Sequence, residues 1–318
     1  MSSKKSLDIV VSGPDMSGTS TQVGDIIGYF EAKGLRVRDL RGGELDALFH
    51  AGAFNHINRG FRSLKEYELA VKAGREGSED ELGVFYKRAL QLPRASCVQN
   101  DVSTYIDPES ADVWVLEEPS KRSLVRMVDM NMSRFWASHD PFAQAFSYGD
   151  DRYHEFFRFR QALRKAGRII VRSRSEESAT YQIEDAERLP EGISVDEYLR
   201  IPGNATALRH PPSLVFTVHA PADWTEEEYK KLKRQRTGDR VLDDHELNIP
   251  YQLLVNSRYA SDWLQEFYEY ADGLFDGGVP GIASIPMYGK GRKPVEKEHI
   301  RTAIYNVLDT LPELQGRP

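Results

Sequence analysis

Cys97 is the sole cysteine in a chain of 318 residues, so no intrachain disulfide can form and a reducing compartment is expected. A lone thiol without helper groups reads as a small buried hydrophobe. Long apolar runs are missing too. None approaches the ~20 residues needed to cross a bilayer. The opening MSSKKSLDIVV is expected to pass straight into a strand, and no cleavable leader is expected. Positive charge is not in excess: 42 Lys and Arg face 49 Asp and Glu, a net charge of −7, which argues against general affinity for nucleic acid. The 8 histidines show no metal-ligand spacing, so no zinc site is assigned. Internal repeats and low-complexity segments are also absent from the sequence. These absences leave a cytoplasmic protein with neither membrane nor nucleic acid as partner. Its 40% hydrophobic residues suffice for a sizeable core.

The most informative stretch is Leu7 to Lys33. An apolar, β-branched run (Leu7 to Val11) meets the glycine-flanked loop Gly13-Pro14-Asp15-Met16-Ser17-Gly18-Thr19-Ser20. An amphipathic helix follows, with Val23, Ile26, Ile27 and Phe30 on one stripe and Gly34 at its end. Strand, loop and helix in this order can cradle a phosphate. Successive backbone N–H groups between Gly13 and Gly18 can point inward at phosphate oxygens. The helix opening near Thr19 adds free N–H groups and a positive dipole end. Ser20 stands where the motif places the hydroxyl that holds Mg²⁺, but the motif's lysine is replaced by Thr19. On the loop alone, a plain Gly-rich turn from strand to helix explains the pattern equally well.

Further along, Leu35 to Leu40 reads as a short strand, which gives a βαβ start and a parallel sheet. Residues 41–110 read as a mostly helical insertion, with helices at Leu64 to Ala73 and Glu79 to Leu92. Ala111 to Glu118 is a buried strand ending in Glu117, Glu118 and Pro119. An acid at that end is well placed to meet a Mg²⁺ held by a neighbouring phosphate loop, though an ordinary strand-ending charge accounts for it too. Lys121 to Phe146 reads as a helix rich in Met and aromatics, and after Asp150 to His154 a second helix runs through Lys165 and ends at Gly167. Further strands are expected at Arg168 to Val171, Ser213 to Val218 and Ile282 to Met287. Pro190 to Pro212 reads as irregular. Thr225 and Glu228 fit a capping box opening a helix that runs into a basic loop. Six cations, from Lys230 to Arg240, lie within that stretch; a solvated helix face is the simpler reading of them. One helix is expected to hold Tyr251, Leu254, Tyr259, Trp263 and Phe267, and a last one covers Val295 to Leu311.

The order of these pieces resembles the thymidylate kinase family of P-loop nucleoside monophosphate kinases. GPDMSGTSTQ is followed by Glu118-Pro119, Asp151-Arg152…His154, a strand with RSRSEESATYQ, and a strand with a basic loop around Asp239-Arg240. The likeness covers Leu7 to Gln22 and about Ala111 to Leu311. It implies an α/β three-layer fold with a parallel five-stranded sheet in a single domain, with residues 225–245 as its lid. It also implies ATP and Mg²⁺ as cofactors, and transfer of the γ-phosphoryl group to a nucleoside monophosphate, dTMP first. Residues Gly13, Asp15, Met16, Ser17, Gly18, Thr19, Ser20 and Thr21 would hold the donor. Asp15 matches the acid that contacts the acceptor sugar, Arg152 the arginine on the acceptor phosphate, and Tyr181 with Gln182 the pair lining the acceptor base. Arg234, Arg236 and Arg240 fall in the lid. Ser20 with Glu117 or Glu118 would bind the metal. Family members commonly pair through helices, and Met127 to Trp136 is a candidate homodimer face, equally consistent with core.

Two departures sit at the transfer centre. The loop lysine is Thr19, and the family's Asp-Arg pair after the RIIV strand reads Arg172-Ser173. The expectation is that they are linked, with Arg172 or Arg174 projecting to where the lysine head would be. Phosphoryl transfer is nearly all positioning and charge neutralisation, so an uncompensated loss would leave little activity. A kinase for another small acceptor and a silent nucleotide-binding protein remain the alternatives.

Overall fold

A computed structural model of the chain describes residues 5–15, 17–41, 106–118, 141–190, 192–237, 248–289 and 292–315. Expectations for Met16, for the insertion within 42–105, for Pro119, for Met127 to Trp136 and for Arg240 lie outside these residues, as does the side chain of Arg236. The elements begin with β1 (Leu7–Ser12), α1 (Thr19–Ala32), β2 (Val37–Asp39) and β3 (Val113–Glu117). Helix α2 (Pro141–Glu155) continues through a π-turn (Phe156–Arg160) into α3 (Gln161–Lys165), then β4 (Ile169–Ser173). Next come α4 (Ala179–Gln182), α5 (Val195–Arg200), α6 (Pro202–Arg209) and β5 (Leu214–His219). The chain ends with α7 (Glu226–Thr237), α8 (Ile249–Tyr259), α9 (Trp263–Phe275), β6 (Gly281–Pro286) and α10 (Lys297–Asp309).

Among the described residues all strands are parallel, in the order β2-β3-β4-β1-β5-β6. The sheet therefore has six strands and not five. The difference follows from the sequence itself, since each of the strand-like segments pairs, including the short edge strand Val37–Asp39. Central strand β1 is buried along its whole length, as expected for a sheet covered on both faces. Leu7, Ile9 and Val11 share one core with Val23, Ile26 and Phe30 of α1 and with Ile300, Ile304 and Leu308 of α10. On the opposite face Val10 packs in a second core with Tyr198, Val215, Tyr251, Val255, Tyr259 and Phe267. Alternation along β1 puts Asp8 and Ser12 on that second face. From β1 the chain runs to the β2 edge and from β5 to the β6 edge. The loops after these two neighbours thus part in opposite directions, the arrangement that opens a crevice at the carboxyl end of a parallel sheet.

Two local expectations are corrected. Pro190 to Pro212 contains two helices, α5 and α6. Helix α5 is opened by a capping box in which Ser194 and Glu197 satisfy each other's backbone N–H groups, and α6 starts with Pro202 at its first position. The single helix expected across Tyr251 to Phe267 is two, broken at Ala260-Ser261-Asp262. The capping box at Thr225 and Glu228 is present, each backbone N–H bonding the other's side chain.

Candidate functional site

The loop after β1 turns at Ser17, whose N–H donates to Pro14 O at 3.0 Å, and reaches α1 through Gly18 at φ 84. That left-handed conformation costs a residue with a Cβ ~1 kcal/mol or more, and glycine nothing comparable. Among the described residues no side chain caps α1, and the N–H groups of Thr19 and Ser20 have no acceptor within the helix. Gly13 is fixed by space: a Cβ there would sit 2.1 Å from Val218 O and 2.5 Å from Ser17 Oγ. The Ser17 hydroxyl is buried and has no hydrogen-bond partner among the described residues. Thr19 is half-buried, and Ser20 and Thr21 are exposed on the first turn. The result is the open first turn of α1, with its free N–H groups, following a loop that carries an unsatisfied hydroxyl, an arrangement that can hold an anion.

Around this loop the fold closes a ring of side chains. Arg174, just past β4, bonds Asp15 Oδ1, and its guanidinium lies 5.3 Å from the centre of the Tyr181 ring. Arg174 itself has φ 65, a strained backbone for a residue with a Cβ. Tyr181 donates its hydroxyl to Gly13 O at 3.1 Å. Gln252 Nε2 donates to Asp15 Oδ2 at 3.0 Å, and Tyr251 OH donates to Tyr181 O at 2.7 Å. Asp15, Arg174 and Tyr181 are thus brought together at the loop. Gln182 lies beside them in α4, buried, with an Oε1 that has no hydrogen-bond partner among the described residues.

Arg172 goes elsewhere, and the expectation that it supplies the missing loop charge is corrected. Its Nε donates to Asp8 Oδ1 at 2.9 Å, and its Nη1 reaches Ser175 Oγ and, at 3.2 Å, Glu176 Oε2. The cause is register. Arg172 pairs with Val10 in the parallel ladder and with Leu116 on its other side, so it faces the second core, opposite α1. Arg160 completes this buried group, donating to Asp8 Oδ2 at 2.8 Å from the π-turn. Burial pushes the Asp8 carboxyl up, but Arg172, Arg160 and Arg164 outweigh it and hold it at about 2. In two nearby acids burial outweighs the arginine pull. Burial raises Glu155 to about 8 against the pull of Arg172 and Arg160. Burial, with Glu176 and Glu118 adding to it, raises Glu177 to about 7.

Arg152 is likewise inside the fold. It bonds Glu118 at 2.6 Å and Asn204 Oδ1 at 2.5 Å, and its guanidinium stands 5.8 Å from the Tyr198 ring centre. Glu118 is therefore engaged with Arg152, whereas Glu117 sits half-buried at the end of β3, in register with Ser173. Arg234 is exposed on α7. Among the described residues no group of three or more His, Cys, Asp or Glu could hold a metal ion by itself, and no helix is long and apolar enough to cross a membrane.

Sequence reasoning missed Gln252, Tyr251, Asn204 and Asp8. Two of them, Gln252 and Asp8, carry a signal. Gln252 and Asn256 are polar residues four apart within an otherwise apolar helical stripe, and both are buried. Asp8 is a charge inside the run LDIVV, where a strand covered on both faces tolerates one only with a partner. For Tyr251 the sequence offers nothing beyond a core aromatic.

No protein-family model matches the chain, and no curated protein matches it. Among solved structures it is similar to the thymidylate kinase from Ehrlichia chaffeensis. That alignment covers 96% of this chain and 99% of that one, at 10% identity and a TM-score of 0.46, and gives no residue a role.

Proposed function

We propose that the chain is a P-loop nucleoside monophosphate kinase that transfers the γ-phosphoryl group of ATP to a (deoxy)nucleoside monophosphate, dTMP first. The observation that carries the reading is the loop itself: Gly18 in the left-handed region feeding an uncapped α1, beside the buried, unsatisfied Ser17 hydroxyl. In this reading the amides from Gly13 to Ser20 cradle the outer phosphates. Arg174, tied to Asp15 of the loop, supplies the cation that Thr19 lacks. Ser20 Oγ and either Glu117 or Glu118 are the side chains suited to hold Mg²⁺, and Glu118 would have to leave Arg152 to do so. The bound metal would neutralise charge between donor phosphates. The acceptor's phosphate oxygen is already nucleophilic, so orientation rather than a general base is required of the protein. Tyr181 and Gln182 line the acceptor base, and Arg152 takes the acceptor phosphate by exchanging Glu118 for it. Arg234, Arg236 and Arg240 close on the transferring group.

A second reading, nucleotide binding without transfer, is favoured by the Arg152–Glu118 pair and by the burial of Arg172 against Asp8. A coupled ADP-release assay over a panel of monophosphates separates the readings. Turnover with dTMP is the expected result. Turnover only with another acceptor reassigns the substrate, and saturable ATP binding with no turnover leaves the silent protein.

A further inference from the structure

Helix α8 touches the phosphate loop through two consecutive residues. Tyr251 reaches it through the Tyr181 carbonyl, and the Tyr181 hydroxyl then bonds Gly13 O. Gln252 reaches it directly, at Asp15 Oδ2. Gln252 is fully buried, and its other end accepts a hydrogen bond from Tyr229 OH of α7 at 3.3 Å. The chemistry fixes how this amide sits. A carboxylate only accepts, so the NH₂ group must face Asp15, which leaves the amide oxygen for the tyrosine O–H. Asp15 is then held on both oxygens, by Gln252 on one and Arg174 on the other. A carboxylate pinned from both sides has one orientation, and so has the guanidinium that it pins.

We propose that Gln252 is a positioning residue that ties the α7–α8 helix pair to the phosphate loop, orienting Asp15 so that Asp15 holds Arg174 at the loop. Only its consequence for turnover rests on the kinase reading. The link itself is a property of the fold. Among polar side chains glutamine serves both ends at once: leucine fills the space and makes neither bond, and glutamate accepts from Tyr229 but repels Asp15.

The test compares Gln252→Leu, Gln252→Glu and Tyr229→Phe with the full-length wild type by hydrogen–deuterium exchange, read over residues 13–21 and 226–237. Both Gln252 variants are expected to speed exchange over 13–21 by about tenfold, the value of one hydrogen bond to a charged group. Tyr229→Phe leaves 13–21 as in wild type and speeds 226–237. Should Gln252→Leu fail to fold, Gln252→Glu gives the same reading. If the changes in both Gln252 variants stay within α8, the proposal is overturned and Gln252 is a local packing residue. In the ADP-release assay Gln252→Leu is expected to raise KM for Mg·ATP about tenfold. An unchanged KM beside a loosened loop also counts against it. A wild type that turns over nothing counts against the kinase reading alone, and the exchange result still decides the link.

Discussion

Replacing Asp8 by Asn removes a single charge from the middle of the sheet and leaves the shape almost unchanged. In the wild type that carboxylate takes Arg160 at 2.8 and 3.2 Å and Arg172 at 2.9 Å, and all three side chains are about 1% exposed. Asn retains one acceptor oxygen but no charge, so the buried Arg160 loses this carboxylate and Arg172 is left with Glu176. Breaking a buried ion pair from one side costs ~3–5 kcal/mol, because the surviving charge stays desolvated. The pH dependence gives an independent check. A carboxyl held at about 2 against an ordinary 3.8 stabilises the fold above its unfolded value, and this is lost as pH falls through 2. Held at about 2 rather than 3.8, the carboxyl is worth roughly 2–3 kcal/mol to the fold. Urea unfolding of both proteins at pH 7 and pH 3 measures these quantities. The Asp8→Asn deficit should be large at pH 7 and smaller at pH 3, where Asp8's own contribution has begun to fade. A deficit below ~1 kcal/mol at pH 7, or one that ignores pH, would refute the claim that Asp8 anchors both arginines.

Glu155 and Glu177 have the opposite sign. Folding raises them to about 8 and about 7, so their contribution is present below the ordinary 4.5 and is lost as pH climbs through those values. Urea titrations should therefore show stability falling between pH 5 and pH 8, and Glu155→Gln should flatten that fall. Gly13→Ala should lower the melting temperature and abolish ATP binding, since its Cβ meets the Val218 carbonyl at 2.1 Å and backbone cannot step aside. Arg174→Ala should cut kcat in the ADP-release assay by ~10³, the scale of one transition-state cation, with a melting curve close to wild type because the pair with Asp15 is only part-buried. Ser194→Ala should cost about 1 kcal/mol in urea unfolding through loss of the α5 capping box.

Much of this fold is legible in the sequence because its parts signal locally. LDIVVS, VWVLE, IIVRS and LVFTVH are apolar runs bounded by turns, and every one is a strand. The loop after β1 is legible for the same reason, since Gly13 marks a backbone with no room for a Cβ and Gly18 one in the left-handed region. Arg172 and Arg174 are not told apart by the sequence, because residues two apart share a face of a continuing strand; β4 ends at Ser173 and Arg174 has φ 65, and that turn parts the two side chains. Gln252 and Asn204 act across separations of 237 and 52 residues, and no spacing along the chain encodes such contacts. The two short helices between Pro190 and Pro212 were hidden by their prolines, although Ser194 and Glu197 spell a capping box.

The central claim is that main-chain amides between Gly13 and Ser20 hold the phosphates of a nucleotide. Equilibrium dialysis of labelled ATP with magnesium against the full-length chain, with inorganic tripolyphosphate as competitor, tests it most directly. One ATP bound per chain and displaced by tripolyphosphate is the predicted result. No bound ATP at millimolar concentration, or bound ATP that tripolyphosphate leaves in place, would contradict it.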